Sequence, residues 1–225
     1  MVKQTTDNIE GGFLSTLLTV YGMVPTMKDY SKSGKKVLRQ VGNYKVVDIA
    51  ICRKPIQEFV NKTLNATTLG SWQRAVRKYG YDKLFHLYII VWVIDSNRKK
   101  IPILIEKNEI INIAYATDKD IQGNESEIQY VEMKPEFYVL NDMLQKTKDS
   151  MGSGKYWSYN AFKNNCQTFV KYFLDSNNLL TPQLLDFIDQ KAEQISEDSV
   201  SAPVKFGVNV ITTLASKLRR IQNLI

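Results

Sequence analysis

Phe85-His86-Leu87-Tyr88-Ile89-Ile90-Val91-Trp92-Val93 is apolar at almost every position and carries the only histidine of the chain near its head. The run is short, β-branched and aromatic, which predicts a buried central strand over 84–94 with a polar group at its entrance. It is far too short to cross a bilayer as a helix. Asp95-Ser96-Asn97-Arg98 follows as a turn. Beyond it, 101–105 and 109–114 read as one or two further strands. Upstream, Val46 to Cys52 alternates enough to make a short strand, and Tyr130 to Met133 reads as another.

Helical spacing surrounds these strands. It predicts helices over 9–22, from Lys54-Pro55 to about residue 64, over 71–78, over 137–148, over 165–174 and around 184–188. Residues 23–45 read as a basic loop or arm with Lys32, Lys35, Lys36 and Arg39. A polar loop is expected at 117–127, a Gly-Ser linker at 151–154 and a polar linker at 193–201. The tail 208–225 carries Ile211, Leu214, Leu218, Ile221 and Ile225 as an amphipathic stripe flanked by Lys217, Arg219 and Arg220. There is no internal repeat. The expected fold is α+β: an antiparallel sheet packed against the helix that bears Cys166, with helical N- and C-terminal appendages. The expected division is an N-terminal helix and arm over 1–45, a core domain over 46–180 and C-terminal helices over 181–225.

The second decisive stretch is Asn164-Asn165-Cys166-Gln167-Thr168-Phe169-Val170. Asparagine is a favoured N-cap, so Asn164 or Asn165 opens a helix with Cys166 in its first turn. That is the positive end of the helix dipole, where free N–H groups favour a thiolate. His86 would serve as general base. A third polar group would fix the imidazole tautomer. If the strands flanking the 95–98 turn form a hairpin, residue 108 returns beside residue 86. Asn108 is then preferred, with Glu106 on the same face as the alternative. Each residue also has a plainer reading. Cys166 shares a stripe with Phe169, Val170 and Phe173, as a small buried hydrophobe would. A histidine beside an apolar run also suits a core.

Composition sets the bounds. The 225 residues are 44% hydrophobic and 24% charged, enough for one sizeable core. The net charge of +7 favours acidic partners, although the lysines are scattered. Two cysteines, Cys52 and Cys166, make no disulfide framework and suit a reducing compartment. Cys52, between Ile51 and Arg53, is expected to be structural. One histidine and two distant cysteines cannot supply an ordinary zinc site, so neither metal nor other cofactor is implied.

The order of these motifs, histidine at the head of a hydrophobic strand and Asn-Cys opening a helix 80 residues later (166 − 86), resembles the circularly permuted papain-like (NlpC/P60-type) superfamily. That superfamily includes the lecithin:retinol acyltransferase-like enzymes and the PPPDE peptidases. The phrase from Tyr159 to Val170 is similar to its Asn-Cys-x-x-Phe-Val motif, and the likeness covers roughly 46–176. The segments Phe85-His86-Leu87 and Glu106-Lys107-Asn108-Glu109 look like versions from large nucleocytoplasmic DNA viruses. The resemblance implies a thiol hydrolase or acyltransferase with Cys166 as nucleophile, His86 as base and Asn108 or Glu106 as third residue. Many relatives place a second histidine there, which this chain lacks. The oxyanion hole would include the backbone N–H of Cys166.

The implied substrate is a protein or peptide-like molecule carrying an amide, isopeptide or thioester bond. The basic arm 23–45 and the tail 208–225 also suit capsid or other virion proteins as partners, and a minor capsid or internal virion protein is the alternative function. A nucleic-acid-binding module or a membrane-surface contact is weaker, since no aromatic–basic interleaving is present. No secretory leader or transmembrane segment is expected, which suits a virion or the host cytoplasm.

Overall fold

The computed structural model describes residues 29–55, 71–78, 85–108, 110–122, 127–160 and 163–189. The expected helix at 9–22, most of that at 54–64, the linker at 193–201 and the tail at 208–225 lie outside them. Helix α1 (Lys32–Val41) leads into strand β1 (Lys45–Pro55), and helix α2 (Ser71–Lys78) precedes β2 (Phe85–Ile94). Strands β3 (Lys100–Lys107) and β4 (Ile111–Tyr115) follow, then the short helix α3 (Asp118–Gln122), β5 (Glu127–Tyr130) and β6 (Tyr138–Val139). Four helices close the described chain: α4 (Leu140–Met151), α5 (Ser153–Trp157), α6 (Cys166–Ser176) and α7 (Pro182–Ile188).

The sheet runs β4-β3-β2-β1-β5, every neighbouring pair antiparallel, with β6 also paired to β1. The architecture is therefore α+β with a wholly antiparallel sheet. β2 lies at its centre, and both of its faces are covered. Leu87, Ile89, Val91 and Val93 join Ile49, Ile51, Ile103 and Ile105 in a core shared with α1, α4, α6 and α7. Tyr88 and Ile90 pack on the other face with Ala50, Cys52 and Leu104, bordered by Trp92, Ile121 and Ile128. Two-sided burial is why β2 reads as a continuous apolar run rather than an alternating one.

The hairpin between β2 and β3 is set by Asp95, whose Oδ1 accepts from the N–H groups of Asn97 (2.9 Å) and Lys99 (2.8 Å). Arg98 takes a left-handed conformation with φ 63°. The resulting register pairs Tyr88 with Glu106 and Ile94 with Lys100.

Several local expectations are corrected. Residues 32–41 form a helix rather than a loop: Ser31 Oγ accepts from Gly34 N at 3.0 Å, and Val37 and Val41 are buried. The lysines that suggested a loop occupy the outer face of that helix. Lys54-Pro55 ends β1 instead of starting a helix, because the β1–β2 ladder continues through Lys54 opposite His86 and Pro55 opposite Phe85. Within the expected 117–127 loop, Asp120 folds back on Thr117 and opens α3. The strand expected at 130–133 ends at Tyr130. The helix expected from 137 starts at Leu140, since Tyr138 and Val139 pair with β1. The expected linker at 151–154 is cut to a single break, Gly152 at φ 74°, before α5 begins.

Helices α1 and α7 pack into the common core, which thus draws on residues to both sides of the 46–180 span expected for it. No helix among the described residues is long and apolar enough to cross a membrane. Gly42 marks a close approach between α1 and α4: Asn141 N donates to its carbonyl at 2.8 Å, and a Cβ there would collide with the Leu38 carbonyl and the Asn141 amide. Gly42→Ala should therefore cost about 1–3 kcal/mol through overpacking, read as a lower urea midpoint with the slope unchanged.

Candidate active site at the head of the central strand

Helix α6 begins at Cys166 because Asn165, in extended conformation, accepts from Thr168 N at 3.1 Å through its side chain. Of the two expected capping residues, Asn165 does the capping. Asn164 is turned elsewhere: its Nδ2 donates to Lys155 O (2.8 Å), Ser158 O (2.9 Å) and Ser158 Oγ (3.0 Å). The apolar stripe Phe169, Val170, Phe173 and Leu174 seats α6 on the helix-side core, which brings the sulfur to the head of β2. There Leu87 N–H points at Cys166 Sγ at 3.5 Å.

His86 and Cys166 are in hydrogen-bonding contact through their side chains. The other side of the imidazole is held by Glu106: Nε2 lies 3.1 Å from Oε2. The second carboxylate oxygen, Oε1, accepts from Asn112 Nδ2 at 3.2 Å, across the β3–β4 pair in which Glu106 and Asn112 stand opposite. The order is thus Asn112–Glu106–His86–Cys166.

The hairpin carries the third group back to the imidazole as the sequence suggests, but through Glu106 rather than the preferred Asn108. Register explains the difference. Tyr88 opposes Glu106, so the carboxylate lies diagonal to His86, within reach of a long side chain. Asn108 lies just past the end of β3, where its N–H donates to Ile110 O at 3.0 Å. Among the described residues no side-chain hydrogen bond of Asn108 reaches the imidazole.

The electrostatics favour an ion pair. Desolvation alone would push His86 down, but the sulfur of Cys166 and the carboxylate of Glu106 outweigh it and hold the imidazole at about 10. Burial alone would push the Cys166 thiol up. The His86 charge and hydrogen bond, with the N–H groups of Leu87 and Gln167, reverse that and bring it below its ordinary value. Both shifts favour thiolate with imidazolium, and the protons belong to the pair rather than to either residue.

Cys52 makes the contrast. It lies on the opposite face of the sheet, where desolvation and nearby Asp120 push its thiol up to about 12 despite a hydrogen bond with Tyr88. It is a packed, unreactive thiol. Among the described residues no group of His, Cys, Asp and Glu side chains could hold a metal ion.

Two contributors were not singled out in the sequence: Asn112 and the Leu87 N–H. Asn112 could have been found by carrying the pairing one strand further, since it stands opposite Glu106 in the β3–β4 pair. The backbone N–H leaves no trace in residue identity.

Glu106→Gln removes the charge that helps hold the imidazolium. The His86 pKa falls, the thiolate loses its counter-charge, and the Cys166 pKa rises. Iodoacetamide labelling of Cys166 at pH 7 should slow on the order of tenfold, about one pKa unit. Asn108→Ala should leave the labelling profile unchanged. Compared with protein-family models, curated proteins and solved structures, the chain matches none.

Proposed function

We propose that the protein is a thiol hydrolase or acyl-transfer enzyme of the permuted papain-like kind, acting on an amide, isopeptide or thioester bond. The observation that carries this reading is the arrangement of Cys166, His86 and Glu106: a thiol at a helix N-terminus, paired with an imidazole whose far nitrogen is held by a carboxylate. A purely structural cysteine needs none of these partners. Further support comes from the chain order, histidine strand before cysteine helix, and from an antiparallel sheet crossed by that helix.

In the proposed reaction the Cys166 thiolate adds to the carbonyl carbon. The oxyanion is met by the Cys166 backbone N–H at the start of α6. Collapse expels the leaving amine or thiolate, which takes the proton of the His86 imidazolium as it departs. The acyl group now sits on sulfur and His86 is neutral. It takes a proton from water, or from another acceptor nucleophile, as that attacks the thioester. Release of the acid or transferred product restores thiolate and imidazolium. Glu106 stabilises the charged form of the ring throughout.

The test is turnover of a short acyl thioester and of an acyl-arylamide, with intact-mass detection of acyl-Cys166. The wild type should form a transient adduct and turn over with a bell-shaped pH profile. The acidic limb marks protonation of the thiolate, below the ordinary thiol range. The alkaline limb falls near pH 10, where the imidazolium loses its proton. Cys166→Ala should abolish adduct and turnover, and His86→Ala should lower turnover on the order of a hundredfold or more. Adduct formation that is stoichiometric and indifferent to His86 would refute the proposal.

A further inference from the structure

Lys107 is the residue the proposed chemistry leaves unexplained. Its side chain is 1% exposed. It follows Glu106 in β3, so alternation sends it to the opposite, helix-packed face. Its Nζ donates to Tyr156 O at 2.6 Å and to Lys155 O at 3.3 Å. Among the described residues no carboxylate pairs with it, and desolvation pulls its amine down to about 7. Burying such a group is costly unless its donors are used.

Both acceptors belong to the last turn of α5, where helix carbonyls lack internal partners. Asn164 Nδ2 meets the same turn from the other side, sharing Lys155 O with Lys107 and adding Ser158 O and Oγ. Asn164 is itself buried, and its Oδ1 has no partner among the described residues, so the side chain acts as a donor alone. Asn164 and Asn160 also exchange backbone hydrogen bonds of 3.0 Å each, closing the connection between α5 and α6. A continuous set of bonds thus runs from Lys107 through the end of α5 to Asn164, two residues before Cys166.

Resting on the reading of Cys166 as nucleophile, we propose that Lys107 is a positioning residue: with Asn164 it pins the end of α5 and so sets where Cys166 stands relative to His86. Neighbouring residues of β3 then place the two halves of the site. Glu106 holds the imidazole from one face, and Lys107 holds the segment that presents the sulfur from the other. The thiol–imidazole contact is thereby referenced to one strand, although its partners are 80 residues apart (166 − 86).

The experiment is the pH profile of iodoacetamide labelling at Cys166 in the full chain, for wild type, Lys107→Met and Asn164→Ala, with thermal unfolding to establish that each is folded. Methionine keeps the buried volume and removes the donors. A residue that merely stabilises the fold would lower the melting temperature and leave the labelling profile of the folded protein in place. A positioning residue shifts the profile. Folded Lys107→Met should label at pH 7 on the order of tenfold more slowly, its apparent pKa moved towards that of a free thiol; misplacement of a reacting group carries costs of at least that size. Asn164→Ala should shift the profile the same way and serves as the deciding variant if Lys107→Met does not fold. A folded variant with the wild-type profile overturns the proposal while leaving the thiol-enzyme reading intact. A wild-type profile already that of an unperturbed thiol overturns both.

Discussion

Burial of β2 on both faces is the constraint from which the rest of the molecule follows. A strand with apolar layers above and below has no room for polar groups along its length, so its polar side chains gather at its ends. Asp48 of β1 and Lys100 of β3 pair beside one end, near the hairpin, at 2.5 Å. The imidazole sits at the other. The helix-side layer also determines what can approach that end. The stripe that seats α6 against Leu87, Ile89 and their neighbours fixes the helix in a single rotational setting, and that setting puts its first residue over the head of the strand. Core packing and candidate chemistry are therefore one geometric problem.

The site itself is a short row of alternating charge: carboxylate, imidazolium, thiolate. Each member would be expensive to bury alone. Together they offset much of that cost, and the outer members are further met by neutral donors, Asn112 on the carboxylate and the Leu87 N–H on the sulfur. A neutral amide in the place of Glu106 would orient the ring without adding charge. The carboxylate does both, adding to the larger effect of the Cys166 sulfur in holding the imidazole above its ordinary range.

The sequence was legible where a single physical rule dominated. The β2 run, the cap before Cys166 and the pairing of a histidine strand with a cysteine helix all follow from local chemistry, and the hairpin estimate brought the correct stretch of β3 back to His86. It was less legible where two rules competed. Lysines on the outer face masked the Val37 and Val41 side of α1. Pro55 suggested a helix start, whereas the ladder with β2 simply extends to it. Choosing between Glu106 and Asn108 required the length of β3 and the reach of the longer side chain, neither of which residue spacing supplies. Lys107 was invisible for a different reason: a lysine in a polar tetrapeptide looks solvated, and only the layer beneath β3 shows otherwise.

The 95–98 turn has a wider consequence. Because side chains of β3 alternate faces, slipping that strand by a single residue against β2, so that Lys107 takes the place of Glu106, would move Glu106 to the place of Ile105. An ammonium would then stand against the imidazole, and a carboxylate would be driven into the apolar helix-side core. A misregistered molecule would not be a weaker version of the native one; its sulfur would face an electrically inverted neighbourhood. The surroundings of one sulfur thus depend on strand alignment, and the left-handed Arg98 and the Asp95 bonds that fix the turn govern them from the opposite end of the sheet.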